Sequence, residues 1–309
     1  MTESNPQGSL GFAVCDAHHH LWDLNQVHYP WLATRGIKRF FGDPAPIQRN
    51  YLAEDFSADF DGIDVAKSVH IQVGAADHQH LAETAWVQSQ IDHHPVPSAL
   101  VAFADLSAEN CAEQLDQLSA FPALRGIRQI VGRSPEEDRT TGSAALLHNP
   151  AWRRGLVQLG ERNLSFDLQL IPQQMEATFS LLRTVEQLPV ALCHCGSPWY
   201  RDFDDPDGGW QLWRRGLKKL AQLPNLVCKI SGLSMFDHHW TEQTMRPVVD
   251  TVIELFGPER VMFGSNFPVD KLHTGYRRLW QTYFSLTQCF SKDQRRRMFT
   301  DNCARFYRL

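Results

Sequence analysis

One pattern recurs eight times along the chain: a short run rich in β-branched and aromatic residues, then a longer segment whose apolar positions follow helical spacing. This alternation constrains the fold more than any other feature, because it calls for parallel strands joined through helices. The runs fall at 12–20, 66–73, 98–106, 124–131, 164–171, 189–196, 226–234 and 260–267. Several are almost continuously apolar, as strands covered on both faces must be. Helix boundaries are marked by local chemistry. Asn149-Pro150 offers a capping side chain followed by a proline at the first helical position, and Gly257-Pro258 ends the segment that begins near Thr241. Pro247, inside that segment, marks a late start or a kink. Ser291-x-x-Gln294 is a capping box. Eight strand–helix units predict an α/β fold, a distorted (β/α)8 TIM barrel over residues 11–309, behind a flexible N-terminus at 1–10.

A length of 309 residues suits one such barrel. The net charge of −5 excludes a large uniform basic surface, so neither nucleic acid nor an anionic membrane is an expected partner. The expected partner is a small-molecule substrate, with the oligomeric state left open. Seven cysteines without a Cys-x-x-Cys pair point to reduced thiols. The opening "MTESNPQGSL" has no basic or apolar stretch of the signal-peptide kind, and the expected location is cytoplasmic.

In a barrel the C-terminal strand ends converge on one mouth, where active sites are built. The polar residues at those ends are His18, His20, Gln72, Arg128, Gln129, Gln169, His194, Lys229, Ser231 and Asn266. Burying so many polar groups without partners would be costly. Strand alternation turns His18 and His20 to one side and Ala17 and His19 to the other. An inward His-x-His either chelates an ion or donates two hydrogen bonds to one oxyanion. His18, His20 and His194 are therefore candidate ligands for one divalent metal such as Zn2+. A site without metal, using histidines and cationic side chains as electrophiles, is the alternative. Arg128 suits bidentate recognition of a carboxylate, against a barrel-end ion pair, and Lys229 suits an anion or carbonyl oxygen, against a structural lysine paired with Asp or Glu. Trp22, Tyr29, Trp31 and Trp199 are candidates for stacking on a ring-shaped substrate, against plain packing. The segment from Leu24 to Asn50 carries Tyr29, Trp31, Phe40 and Phe41 and reads as a packed loop over the mouth. The acidic stretch at 201–209 resembles a calcium loop only superficially, because the downstream glutamate is missing.

Taken in order, "DAHHHLWD", "LRGIRQ", "FDLQ", "LCHCGSPW", "CKISGL" and "MFGSNFPVD" resemble the amidohydrolase-2 group of the amidohydrolase superfamily, in the branch of sugar-acid and 2-pyrone-4,6-dicarboxylate lactonases. The resemblance spans the chain and implies His18, His20 and His194 at the reacting centre, with Arg128 on a substrate carboxylate. Some lactonases of this branch work without a bound metal. The family's eighth-strand motif usually reads Gly-Ser-Asp-Trp-Pro, with the aspartate as general base, whereas this chain has Asn266 there. An amide cannot accept a proton usefully near neutral pH, so Asp270 or His194 becomes the candidate base. The implied activity is opening of a lactone of a sugar acid or small carboxylated ring, with Gln72 and Gln169 as further substrate contacts. A metal-dependent decarboxylase of the same fold and a non-catalytic ligand-binding barrel are the competing expectations.

Overall fold

The computed structural model describes residues 11–205 and 208–309. Eight parallel strands form one sheet in chain order: β1 (Val14–His19), β2 (Val65–Ile71), β3 (Ala99–Ala102), β4 (Leu124–Ile127), β5 (Ser165–Leu168), β6 (Val190–Leu192), β7 (Leu226–Ile230) and β8 (Val261–Phe263). Just beyond the strand ends, His20 N donates to Phe267 O and Asn266 N donates to His18 O, both at 2.7 Å. These bonds return the last strand to the first. Gly264 permits the approach, since a Cβ there would stand 2.8 Å from His18 N. The architecture is the (β/α)8 barrel that the eight repeats predict. The N-terminal segment 1–10, and Pro206 and Asp207 within the acidic stretch, lie outside the described residues.

Every expected run overlaps a strand, β2 starting one residue early at Val65, and every strand stops short of its run's C-terminal end. The residues beyond carry the mouth's polar side chains in turn conformations, which composition alone does not separate from strand. The helix signals hold locally. Asn149 caps Pro150–Glu161 by accepting from Ala151 N at 2.8 Å. Thr241 caps Glu242–Phe256, which takes Pro247 into its interior and ends at Gly257 with φ +73°. Ser291 and Gln294 exchange hydrogen bonds at 3.0 and 3.3 Å ahead of Lys292–Arg296.

Two apolar layers sandwich the sheet. The outer one fills the space between strands and helices. The inner one packs Ala17, Val69, Ile71, Val101, Ala191 and Met262 inside the barrel, where Cys303 and Tyr307 from the C-terminal helix (Asn302–Tyr307) join it. Ala17 was expected to face outward. It faces inward because the β1–β2 register shifts between Asp16 and His19, so Ala17 and His18 both turn toward the barrel axis. A bulge of this kind re-aims the side chains that follow it. His19 points away from the axis as expected, its ring stacked 3.9 Å from that of Phe56. Among the described residues no helix is long and apolar enough to cross a membrane.

Candidate active site

After β6 the backbone turns left-handed for four successive residues: His194, Cys195, Gly196 and Ser197 have φ between +54° and +69°. Three of them carry a Cβ, and the left-handed region costs such residues roughly 1–2 kcal/mol each. Three hydrogen bonds hold the turn. Trp213 Nε1 donates to Cys195 O at 2.8 Å, Ser197 N to His194 O at 2.9 Å and Ser197 Oγ to Leu170 O at 2.6 Å. The turn presents His194 to the mouth, where its Nδ1 is hydrogen-bonded to Ser231 Oγ at 3.0 Å. Gly232 follows at φ +66°, and a Cβ there would lie 2.4 Å from His194 Nδ1. Burial, reinforced by the Arg128 charge, holds the His194 imidazole well below its usual pKa, so it is neutral near pH 7.

The His18 ring lies 4.4 Å from that of His194 and 5.1 Å from that of His20, so the three expected histidines meet. His18 is fully buried, and neither ring nitrogen has a hydrogen-bond partner among the described residues. Desolvation keeps it neutral as well. His20 is bonded at both nitrogens: Nδ1 lies 2.7 Å from Ile71 O and Nε2 lies 3.3 Å from Asn266 Oδ1. Burial and the Arg128 charge lower its pKa to about 3. Asn266, itself at φ +57°, donates through Nδ2 to Asp270 Oδ1 at 2.8 Å. Asp270 is thus a step behind the mouth: Asn266 lines the cavity and Asp270 does not. Burial pushes the Asp270 carboxyl up to about 7.

The cavity over these residues has a volume of about 330 Å³. Its floor includes His20, Arg128, Gln169, His194 and Asn266. Arg128 is buried and fixed in angle, donating to Gln169 Oε1 at 3.1 Å and to the Gln72 carbonyl, while Gln72 Nε2 returns a bond to Arg128 O at 3.3 Å. Gln72 therefore shapes the site through Arg128 and stands outside the cavity lining.

The loop after β1 covers the opening, as its aromatics suggested. Trp31, Phe40 and Phe41 line the cavity, and Arg39 anchors the loop to Glu137 by hydrogen bonds of 2.6 and 3.0 Å. Trp31 Nε1 donates to Val73 O at 2.9 Å. The other expected stacking residues are elsewhere. Trp22 is core, its indole bonded to Arg49 O, and Tyr29 is buried beside Glu83. Trp199 packs behind Phe40 against Phe236. Arg39, Arg133 and Glu137 were missed as lining residues. Arg133 follows Arg128 by five positions past the strand, where alternation no longer predicts direction.

Lys229 does not reach the cavity either. It lies beneath the histidines inside the barrel, fully buried, with Nζ 2.5 Å from Asp167 Oδ2. Tyr307 Oη donates to both oxygens of Asp167 at 2.9 Å. Asp167 on β5 stands two residues before Gln169, the alternation that could have revealed this pair. Among the described residues, the metal-ligating side chains whose ligand atoms all lie within 4.8 Å of one another are His18, Asp167 and Cys193. His20 and His194 are not in that set, so the three-histidine grouping is not the one that closes to ligand spacing. The set itself does not fit a divalent ion. Its carboxylate already holds the Lys229 ammonium, a cation in the place where a second cation would have to stand.

A family model described as amidohydrolase matches residues 15–309. The y4mH protein of Sinorhizobium fredii is 39% identical over 298 residues, covering 96% of this chain and 99% of its own. An L-fucono-1,5-lactonase of Burkholderia multivorans is 26% identical over 277 residues, 86% of each chain. A crystal structure of an amidohydrolase from Burkholderia multivorans with bound HEPES superposes with a TM-score of 0.81 at 24% identity, over 96% of this chain and 100% of that one.

Proposed function

The chain belongs to the amidohydrolase family, and on that premise we propose that it is a lactonase, a hydrolase opening the cyclic ester of a sugar acid or other small carboxylated ring. The observation that carries the reading is the meeting of a neutral imidazole, His194, and a fixed guanidinium, Arg128, in one cavity of about 330 Å³. Relatives named as L-fucono-1,5-lactonase and L-rhamnono-gamma-lactonase support it. Three arginines (39, 128 and 133) border the cavity against one carboxylate, Glu137, which is engaged by Arg39, so the local field favours an anionic substrate.

In this reading the ring lies beneath Trp31, Phe40 and Phe41, and Arg133 holds its anionic group. His194 takes a proton from water as the oxygen attacks the ester carbon. The carbonyl oxygen becomes an oxyanion facing Arg128, which meets the new charge without reorganising because Gln169 and the Gln72 carbonyl already fix it. Collapse breaks the ring C–O bond, and His194 returns its proton to the departing alkoxide. The product is an open hydroxy acid. His194 can work in both directions because it is neutral and, among the described residues, hydrogen-bonded at one nitrogen alone, by Ser231.

The test is a panel of sugar-acid 1,4- and 1,5-lactones, together with lactones that keep a free carboxylate (aldaric-acid lactones and carboxylated pyrones), followed by proton release into a pH indicator, with and without added Zn2+. At least one lactone is expected to turn over, with kcat reduced at least about 100-fold in His194→Ala. Absence of proton release across the panel would overturn the reading.

A further inference from the structure

The contacts of Asn266 do not balance as a plain hydrogen-bond count. His20 Nδ1 faces the Ile71 carbonyl at 2.7 Å, and a carbonyl only accepts, so the proton of a neutral His20 resides on Nδ1. Its Nε2 then presents a lone pair, yet the atom opposite, at 3.3 Å, is another acceptor, Asn266 Oδ1. A cationic His20 would resolve the clash, but burial and the nearby Arg128 oppose that charge. A half-turn of the amide resolves it equally well. Oδ1 and Nδ2 exchange places, Nδ2 donates to His20 Nε2, and Oδ1 faces Asp270 at the position 2.8 Å away. That arrangement requires Asp270 to bring a proton, since two acceptors cannot bond each other.

We propose that Asp270 is a positioning residue that, as a neutral carboxylic acid, donates to Asn266 Oδ1 and turns the amide so that Nδ2 donates to His20 Nε2. His20 is thereby pinned as the Nδ1–H tautomer with both nitrogens occupied. Of the two histidines that line the cavity, His194 remains as the one that can take a proton, and the aspartate that usually acts as base is replaced by an amide whose direction is set from behind. The environment of Asp270 suits this role. It is fully buried, Ser234 lies against it, and the ionisable groups facing it are Asp16 from β1, whose carboxylate disfavours a second negative charge beside it, and the neutral phenol of Tyr283 from the helix Tyr276–Leu286. Burial holds the carboxyl near 7, so the proton is present in mildly acidic solution and lost above neutrality.

The kinetic part of the test rests on the lactonase reading, whereas the structural part does not need substrate. In full-length protein labelled with 15N at histidine and asparagine, at pH 6, a through-hydrogen-bond coupling between the Asn266 side-chain amide and His20 Nε2 is expected. It should disappear with a midpoint near pH 7 as Asp270 ionises. Asp270→Asn keeps a neutral donor and should retain the coupling to pH 9, whereas Asp270→Ala should lose it at every pH. With an active lactone, wild-type kcat should fall about tenfold per pH unit above that midpoint, KM should hold, and Asp270→Asn should flatten the limb. Absence of the coupling at pH 6, or the same midpoint in Asp270→Asn, would overturn the proposal. An inactive lactone panel with the coupling intact would count against the lactonase reading alone.

Discussion

Lys229 and Asp167 form an ion pair 2.5 Å apart in which neither side chain has any exposure. Bringing two charges into an apolar interior is expensive, and the pair is tolerated because Tyr307 supplies further hydrogen bonds to the carboxylate. Removing one member strands the other. Lys229→Met and Asp167→Asn are each expected to lower unfolding free energy by about 3–5 kcal/mol. The double variant should lose less than the sum, with a coupling of about 1–3 kcal/mol. Urea titration of the four proteins measures it, and strict additivity would show that the pair is not a unit. The same residues explain what the sequence conceals at this scale. Lys229 reads either as a mouth residue, from its place near a strand end, or as a structural lysine paired with a carboxylate; the strand presents it one layer lower, where its partner Asp167 stands on β5.

Gly232 and the left-handed turn at 194–197 act together as an element that aims His194. Gly232→Ala adds a Cβ 2.4 Å from His194 Nδ1 at a backbone position with φ +66°. The expected result is a loss of about 1–2 kcal/mol of stability. The imidazole should also be displaced enough to reduce lactone turnover about 100-fold, since an ångström of misplacement has effects of that size. Circular dichroism should stay native-like while kcat falls, and an unchanged kcat would show that the imidazole tolerates the shift. Element existence was legible in this chain, because eight β-rich runs with capped helices between them leave few alternatives. Element ends were not. Strand-like composition continues into the turns after β6 and β8, where His194 and Asn266 take positive φ. The bulge in β1 was equally invisible, since a period-2 pattern does not register one inserted residue. Cavity residues on long loops, Arg39 and Arg133, needed the tertiary fold to be seen at all.

Eight buried titratable groups set how the whole molecule responds to pH. His18, His19, His20, His70 and His194 are held below the usual imidazole value by desolvation. Asp16 is raised to about 6, and Glu83 and Asp270 to about 7, by the same cause. For the histidines the unfolded chain binds more protons below about 6.5, so their stabilisation is complete above that pH and lost as it falls. For the three acids the native state binds more protons, so their contribution is present in acid and lost as pH rises toward 7. Near pH 5 five protons favour unfolding and up to three oppose it. The net of about two gives a fall of about 3 kcal/mol per pH unit on acidification, with a flat profile above pH 7. Urea midpoints at pH 5, 6, 7 and 8.5 check this, and a midpoint constant from pH 5 to 7 would contradict it.

The four-residue left-handed turn also has a consequence for how the protein can change over generations. Glycine at Cys195 or Ser197 would relax the backbone, and glycine at His194 would relax it while deleting the base. A laboratory selection for heat resistance alone would therefore be drawn toward this turn, gaining robustness where it erodes catalysis. Heat-resistant variants obtained without an activity screen should be sequenced there first.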